Sequence, residues 1–126
     1  KEEIYATLNE YLKVNKDDIS LKLSHIKSKT LDSFNFNPFI IKIDSEGHEL
    51  SVLKGMKKTL KNKPILFIEN SKSNFNLLRN KLTTKYKYKA FGYDKNRNKF
   101  STKNLSSRLN VFFIHKNDQN LKNILK

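Results

Sequence analysis

Ile40-Ile41-Lys42-Ile43-Asp44-Ser45-Glu46-Gly47-His48-Glu49-Leu50-Ser51-Val52-Leu53-Lys54-Gly55 is the stretch that decides the fold. A short apolar run ends in an acid. A glycine-containing turn follows, and then a helix that opens with further acids. Pro64-Ile65-Leu66-Phe67-Ile68-Glu69-Asn70 repeats the first half of this pattern, an apolar run closed by a carboxylate. Two such strands joined by one amphipathic helix make a parallel βαβ unit. Sheets of that kind bind ligands just beyond the carboxyl ends of their strands.

The bulk properties fit one α/β domain. A chain of 126 residues is the size of a single domain with a real core. The hydrophobic fraction of 37% is low, but it is gathered in a few runs, as in a folded chain rather than a disordered one. No run approaches the roughly 20 apolar residues of a membrane span. No secretory leader pattern opens the chain, so a cytoplasmic location is expected. Without Cys there is neither a disulfide nor a thiolate nucleophile. The net charge of +14 invites a nucleic-acid reading. Arg, the usual bidentate reader of bases and phosphates, occurs only at 79, 97 and 108. The Lys residues are spread along the chain beside abundant Asn. A solvated Lys-rich surface is therefore expected, with an anionic partner or membrane surface as the alternative.

Ile4, Leu8, Tyr11 and Leu12 recur at helical spacing, which predicts a helix over Lys1–Lys13. Ile19–Leu23 alternates and His25–Thr30 reads as extended. Thr30 or Asp32 is then placed to cap a short turn of helix through Leu31–Phe34. Phe39–Asp44 is near-continuously apolar, which predicts a strand covered on both faces. Leu50, Leu53, Met56 and Leu60 predict a helix from Glu46 to Leu60, with a close helix–strand approach at Gly55. Strand Ile65–Glu69, helix Phe75–Leu82 and strand Tyr86–Tyr93 follow. Lys99–Ser101 is a hairpin return and Asn110–His115 a last strand. No helix separates the last strands, so an antiparallel pair is expected. Leu121, Ile124 and Leu125 lie at helical spacing in the tail.

The blocks Thr30-Leu31-Asp32, Ile41-Lys42-Ile43-Asp44-Ser45-Glu46-Gly47-His48-Glu49, Val52-Leu53-Lys54-Gly55 and Pro64-Ile65-Leu66-Phe67-Ile68-Glu69 together resemble the signature of FkbM-family methyltransferases. Ser45 stands where the family usually has Val. Asn110–Ile114 resembles its closing strand, so the resemblance runs from Thr30 to His115. It implies a class I, Rossmann-like sheet, with parallel βαβ units ending in an antiparallel strand pair. It also implies S-adenosylmethionine as cofactor and methyl transfer, typically to oxygen, on sugars or natural products. Folds of this class carry a Gly-rich cofactor loop after their first strand. The three glycines here, Gly47, Gly55 and Gly92, form no such loop. With Lys rather than Met at position 1, the expectation is the C-terminal half of a methyltransferase domain: residues 1–29 as helix and arm, 30–115 as core, 116–126 as tail. Such a chain is expected to bind S-adenosylmethionine weakly or not at all and to be inactive alone.

Asp44, Glu46, Glu69 and His48 are the candidate catalytic residues. Transfer to a hydroxyl needs a base or a metal. Asp44 is named first for substrate contact or proton removal; alternatively it accepts N–H bonds from the turn that follows. Glu46 and Glu49 occupy the first helical turn, where the dipole favours carboxylates without any chemistry. Glu69 ends the neighbouring strand and should approach Asp44, with one pKa raised by repulsion. Converging carboxylates could hold a divalent cation, but no His-x-His spacing accompanies them and no metal is expected. His48 is a candidate base or an exposed helix residue. His25 and His115 receive no role, and Gly47 serves the turn. Tyr88, Phe91 and Tyr93 either wall a substrate pocket or pack in the core. Expected partners are a small-molecule or glycan methyl acceptor and, across an open sheet edge, a second copy of the chain. A non-catalytic module that meets an anion with its Lys surface is the other reading.

Overall fold

The computed structural model describes residues 10, 17, 19, 20, 22, 24–70, 74–119 and 121. The helix expected over Lys1–Lys13, much of Ile19–Leu23 and most of the C-terminal tail lie outside these residues. His25–Thr30 carries no strand. The described elements run β1 (Ile40–Ile43), α1 (Glu49–Lys54), β2 (Ile65–Glu69), α2 (Phe75–Thr84), β3 (Tyr88–Asp94), β4 (Lys99–Ser101) and β5 (Asn110–His115). Short 3-10 turns occupy Leu31–Phe34, Thr59–Asn62 and Leu105–Ser107.

The five strands form one sheet in the order β1-β2-β5-β3-β4. β1 and β2 are parallel, with Ile43 opposite Ile68. β5 enters antiparallel between β2 and β3, placing Glu69 opposite Asn110 and Ala90 opposite Phe113. β3 and β4 close an antiparallel hairpin. This is the mixed α/β sheet read from the sequence, including the antiparallel final strands.

Alternation sorts the side chains into two faces. Ile43, Leu66, Ile68, Val111, Phe113, Tyr88 and Ala90 meet Leu53 and Met56 around α1 and Phe75, Leu78 and Leu82 of α2 in the main core. Both helices lie on that face, because β1 to β2 and β2 to β3 move in the same direction across the sheet and each crossover is right-handed. The opposite face holds a smaller cluster of Phe91, Ile114 and Leu121, against which Ile65, Phe100 and Phe112 pack. Among the described residues no helix is long and apolar enough to cross a membrane.

Three local expectations are corrected. β1 is not covered on both faces: it is the sheet's edge strand, with Phe39 70% and Ile40 51% exposed and only Ile43 buried. The helix expected over Glu46–Leu60 is confined to Glu49–Lys54. Glu46 (φ 47°) and Gly47 (φ 93°) are both left-handed, which no helix admits, so Glu46 belongs to the turn and not to the first helical turn. At the other end the Gly55 N–H reaches back to the carbonyls of Ser51 and Val52, and the helix stops. Gly55 does admit a close approach, but to Thr30: a Cβ there would lie 3.2 Å from the Thr30 side chain.

The third correction concerns Asp32. Neither it nor Thr30 caps the Leu31–Phe34 turn through its side chain. The Asp32 carboxylate instead accepts the N–H groups of Lys58 and Thr59 and the Thr59 hydroxyl, each at 2.9 Å. Its own N–H donates to the Gly55 carbonyl at 3.0 Å. Burial raises its pKa, but these donors outweigh that and hold the carboxyl below its ordinary value. The Thr30–Asp32 segment is therefore a clamp across the end of α1 and the start of the next 3-10 turn.

Candidate active site

β1 and β2 are parallel and in register, so the residues that leave their carboxyl ends must be neighbours. Asp44 and Glu69 leave those ends, and the left-handed turn folds Glu46 back beside them. The three carboxylates offer oxygens that all lie within 4.8 Å of one another. The structure thus brings together three of the four predicted site residues. His48, the fourth, is exposed and sits at the N-cap of α1, where its backbone carbonyl accepts the N–H groups of Ser51 and Val52.

The group is asymmetric. Lys42 lies two residues before Asp44 on the same face of β1, and its Nζ donates to Asp44 Oδ2 at 2.6 Å. That bond, and then a hydrogen bond from Glu69, hold the Asp44 carboxyl below its ordinary value. The Glu69 carboxyl is pushed up, first by hydrogen bonding to Asp44, then by burial and by the charges of Asp44 and Glu46. The two neighbouring carboxyls are thus pushed in opposite directions, Asp44 toward its charged form and Glu69 toward its protonated form. Lys42 also lies over the Phe67 ring at 5.6 Å and so couples the acids to the exposed sheet face.

The turn that carries Glu46 is held from below. Glu49 is 1% exposed. Its carboxylate accepts the Gly47 N–H at 3.0 Å and the Ser45 hydroxyl at 3.2 Å. The Asn74 amide, just before α2, donates to the Gly47 carbonyl at 3.0 Å. The carboxylate that receives the turn's N–H is thus Glu49, and Asp44 is left to face Lys42 and Glu69. Ser45 thus supplies a hydroxyl to that same buried acid.

Sequence reading missed Asn70. It follows Glu69, is 8% exposed, and its amide donates to the carbonyls of Ser106 and Arg108 at 2.9 Å and of Leu105 at 3.3 Å. It ties the end of β2 to the loop that leads into β5. An Asn directly after a strand-ending acid was the available signal. Of the three aromatic candidates, Tyr88 and Phe91 are core, and the Tyr88 hydroxyl donates to the Pro64 carbonyl at 2.9 Å. Tyr93 is exposed and reaches Asn98 through its hydroxyl.

A groove of about 570 Å³ runs along β1, lined among others by Thr30, Phe34, Ile41, Asp44, Ser45 and Val52. It is mostly apolar and opens at the sheet edge. No glycine-rich turn faces it, and Gly47 and Gly55 already serve the α1 boundaries. The three carboxylates could ligate a hard cation, although Lys42 already neutralises one of them.

A family model for the methyltransferase FkbM domain matches residues 6–95. No curated protein and no solved structure matches the chain. The match starts well before Thr30 and stops before β5, so it takes in the N-terminal segment that carried no motif of its own. Because it spans well over half of the sequence and includes both strand-end acids, this chain belongs to the FkbM methyltransferase family.

Proposed function

We propose that this domain handles the proton in S-adenosylmethionine-dependent O-methylation of a sugar or other small hydroxylated metabolite. The observation that supports this reading is the Asp44–Glu69 pair at the carboxyl ends of two parallel strands, its two pKa values pushed apart. Glu69 is the base for the acceptor hydroxyl. Asp44, fixed by Lys42, accepts a hydrogen bond while the proton resides on Glu69. Glu46 lends further negative potential, and His48 is an alternative proton acceptor at the rim. S-adenosylmethionine, when bound, supplies an electrophilic methyl group. We assign its adenosyl end to none of the described residues, which take only the acceptor and its proton. The order β1-β2-β5-β3 with β5 antiparallel is what the C-terminal half of a class I methyltransferase sheet would have. On this reading the cofactor's adenosyl end is held by chain outside residues 24–119.

The test is methyl transfer by the complete protein carrying Glu69→Gln or Asp44→Asn. Loss of turnover with an unchanged far-ultraviolet spectrum is expected for each, and full activity in both would remove the assignment. Calorimetric titration of the present chain with S-adenosylhomocysteine gives the second arm. No binding is expected, and saturable one-site binding would show that these residues suffice for the cofactor.

A further inference from the structure

The two parallel strands begin at the end of the sheet opposite the three carboxylates, and the corner there has a different surface. The chain enters β1 through the 3-10 turn Leu31–Phe34 and the loop Asn35-Phe36-Asn37-Pro38. It enters β2 through the 3-10 turn Thr59–Asn62. The Asp32 carboxylate bolts these two approaches together by its bonds to the N–H groups of Lys58 and Thr59. The Phe39 carbonyl accepts the Ile65 N–H at 2.9 Å, and Phe36 and Lys58 line one cleft between the approaches.

This corner is both apolar and basic. Phe34 is 48% and Phe36 59% exposed, beside the still more open Phe39 and the half-exposed Ile40. The Phe34 and Phe36 rings stack at 5.4 Å with planes 13° apart and form one ledge. Asn35 between them is left-handed (φ 53°), which lets both rings stand on the same side of the chain. Lys29 lies over the Phe34 ring at 5.9 Å, and Lys57, Lys58, Lys61 and Lys63 are exposed. No acid occurs from Leu50 to Ile68, and the one acid at the corner, Asp32, is taken up by backbone N–H groups. The acids of the candidate site lie at the far end of β1, about 13 Å away at about 3.3 Å per residue.

A water-facing ledge of phenylalanines is costly unless something covers it, and the lysines around it decide what that is. Apolar rings rimmed by ammonium groups suit an anionic bilayer, where the rings sink to the boundary of headgroups and acyl chains and the lysines stay at the headgroups. Nucleic acid is a poorer match. Ile40 has no π face, the Phe34 and Phe36 rings are already stacked on each other, and no arginine occurs before residue 79 to grip phosphates bidentately. We propose that this corner is a peripheral docking surface for an anionic lipid bilayer, with Phe36 and Phe39 inserted and Lys57, Lys58, Lys61 and Lys63 on the headgroups. Docked in this way, the protein turns Asp44, Glu46 and Glu69 away from the bilayer and keeps them open to water. The docking surface is independent of the function proposed above.

The experiment uses the 126-residue chain, which contains no tryptophan, so Phe39→Trp places a single fluorescent reporter on the ledge. The probes are vesicles of phosphatidylcholine alone and of an equimolar mixture with phosphatidylserine. A blue shift, and quenching by brominated acyl chains, are expected with the mixture only. Leu77→Trp, exposed near the start of α2 at the acid end of the sheet, should show neither. In co-sedimentation with the mixed vesicles, Phe36→Ser combined with Phe39→Ser should weaken binding by about tenfold or more. Lys58→Ser combined with Lys61→Ser should weaken it by about fivefold per lysine, an effect that salt diminishes. These side chains are exposed, so circular dichroism should show every variant folded, and Leu77→Ser should bind as the wild type does. No blue shift and no co-sedimentation with the mixed vesicles would overturn the proposal. Equal binding to phosphatidylcholine alone would overturn the role of the lysines, and unchanged affinity in the double phenylalanine variant would overturn insertion. A chain that ignores both vesicles but binds a uridine oligonucleotide through the same lysines would assign the corner to nucleic acid instead.

Discussion

Asn70 gives the sharpest test of how the site is held, through the contrast between Asn70→Ala and Asn70→Asp. The amide nitrogen has two hydrogens and faces three carbonyls, two at 2.9 Å and one at 3.3 Å, so the longest contact shares a hydrogen. Two effective hydrogen bonds at a net value of about 1 kcal/mol each give a loss of about 2 kcal/mol for the alanine variant. For a two-state domain of this size that lowers Tm by about 6–10 °C. The aspartate variant keeps the shape but turns two acceptor oxygens on carbonyl oxygens in a site only 8% exposed. It should lose about 1–3 kcal/mol more at neutral pH. Its carboxyl must also titrate above the ordinary range, because the protonated form regains one donor. Stability should therefore recover as the pH falls through that raised value and be lost again as the pH rises. Urea unfolding followed by circular dichroism, at constant m, measures both effects. An aspartate variant as stable as alanine at neutral pH would mean that this amide does not donate to the loop, and the tie between the end of β2 and the loop into β5 would fall with it.

Leu53 is fully buried under the sheet, and Leu53→Ala should cost about 2–5 kcal/mol in the same assay. Glu49→Ala strands the Gly47 N–H and the Ser45 hydroxyl and should cost about 1–3 kcal/mol, with the backbone amide signals of the 45–48 turn broadened in NMR spectra. The raised pKa of Glu69 means that the wild type loses stability as pH rises through that value. Glu69→Gln should have a flat Tm there and be the more stable protein at neutral pH, by a thermal-melt series across pH. Burial, then Lys63 and Lys116, lower the pKa of His115. The unfolded chain therefore takes up a proton first, and Tm should fall as pH drops from about 6.5 through the lowered folded value, a slope that His115→Phe removes.

What the sequence disclosed tracks how local the cause was. The βαβ unit and its two terminal acids follow from strand period and chain order alone, and Asp44 and Glu69 do meet. The antiparallel β5 was legible because no crossover α-helix stands between β3 and β5. The length of α1 was not, because Glu46 takes a left-handed conformation that L residues seldom adopt and its helix-compatible spacing hides. The exposure of β1 depends on which strand lies beside it, and an apolar run reads alike at an edge or in the middle. The clamp by the Asp32 carboxylate and the grip of Asn70 join residues 26 to 38 positions apart, beyond the reach of any window. Arg108 was counted only as one of three arginines, although its side chain crosses Gly92 where a Cβ would lie 2.1 Å from it.

Among the described strands, the one that comes last in the chain occupies the middle of the sheet. Until residues 110–115 have been synthesised, β2 and the β3–β4 hairpin have no hydrogen-bonding partner in common. A nascent chain must therefore keep two part-sheets apart with their inner edges bare, and both join in one late event of high contact order. Folding should then be slow relative to helix and hairpin formation, and the interval before β5 arrives is when the chain is most exposed to misassembly with its neighbours. Loss of this segment by premature termination would divide the sheet into two pieces, where trimming an outer strand would merely shorten it.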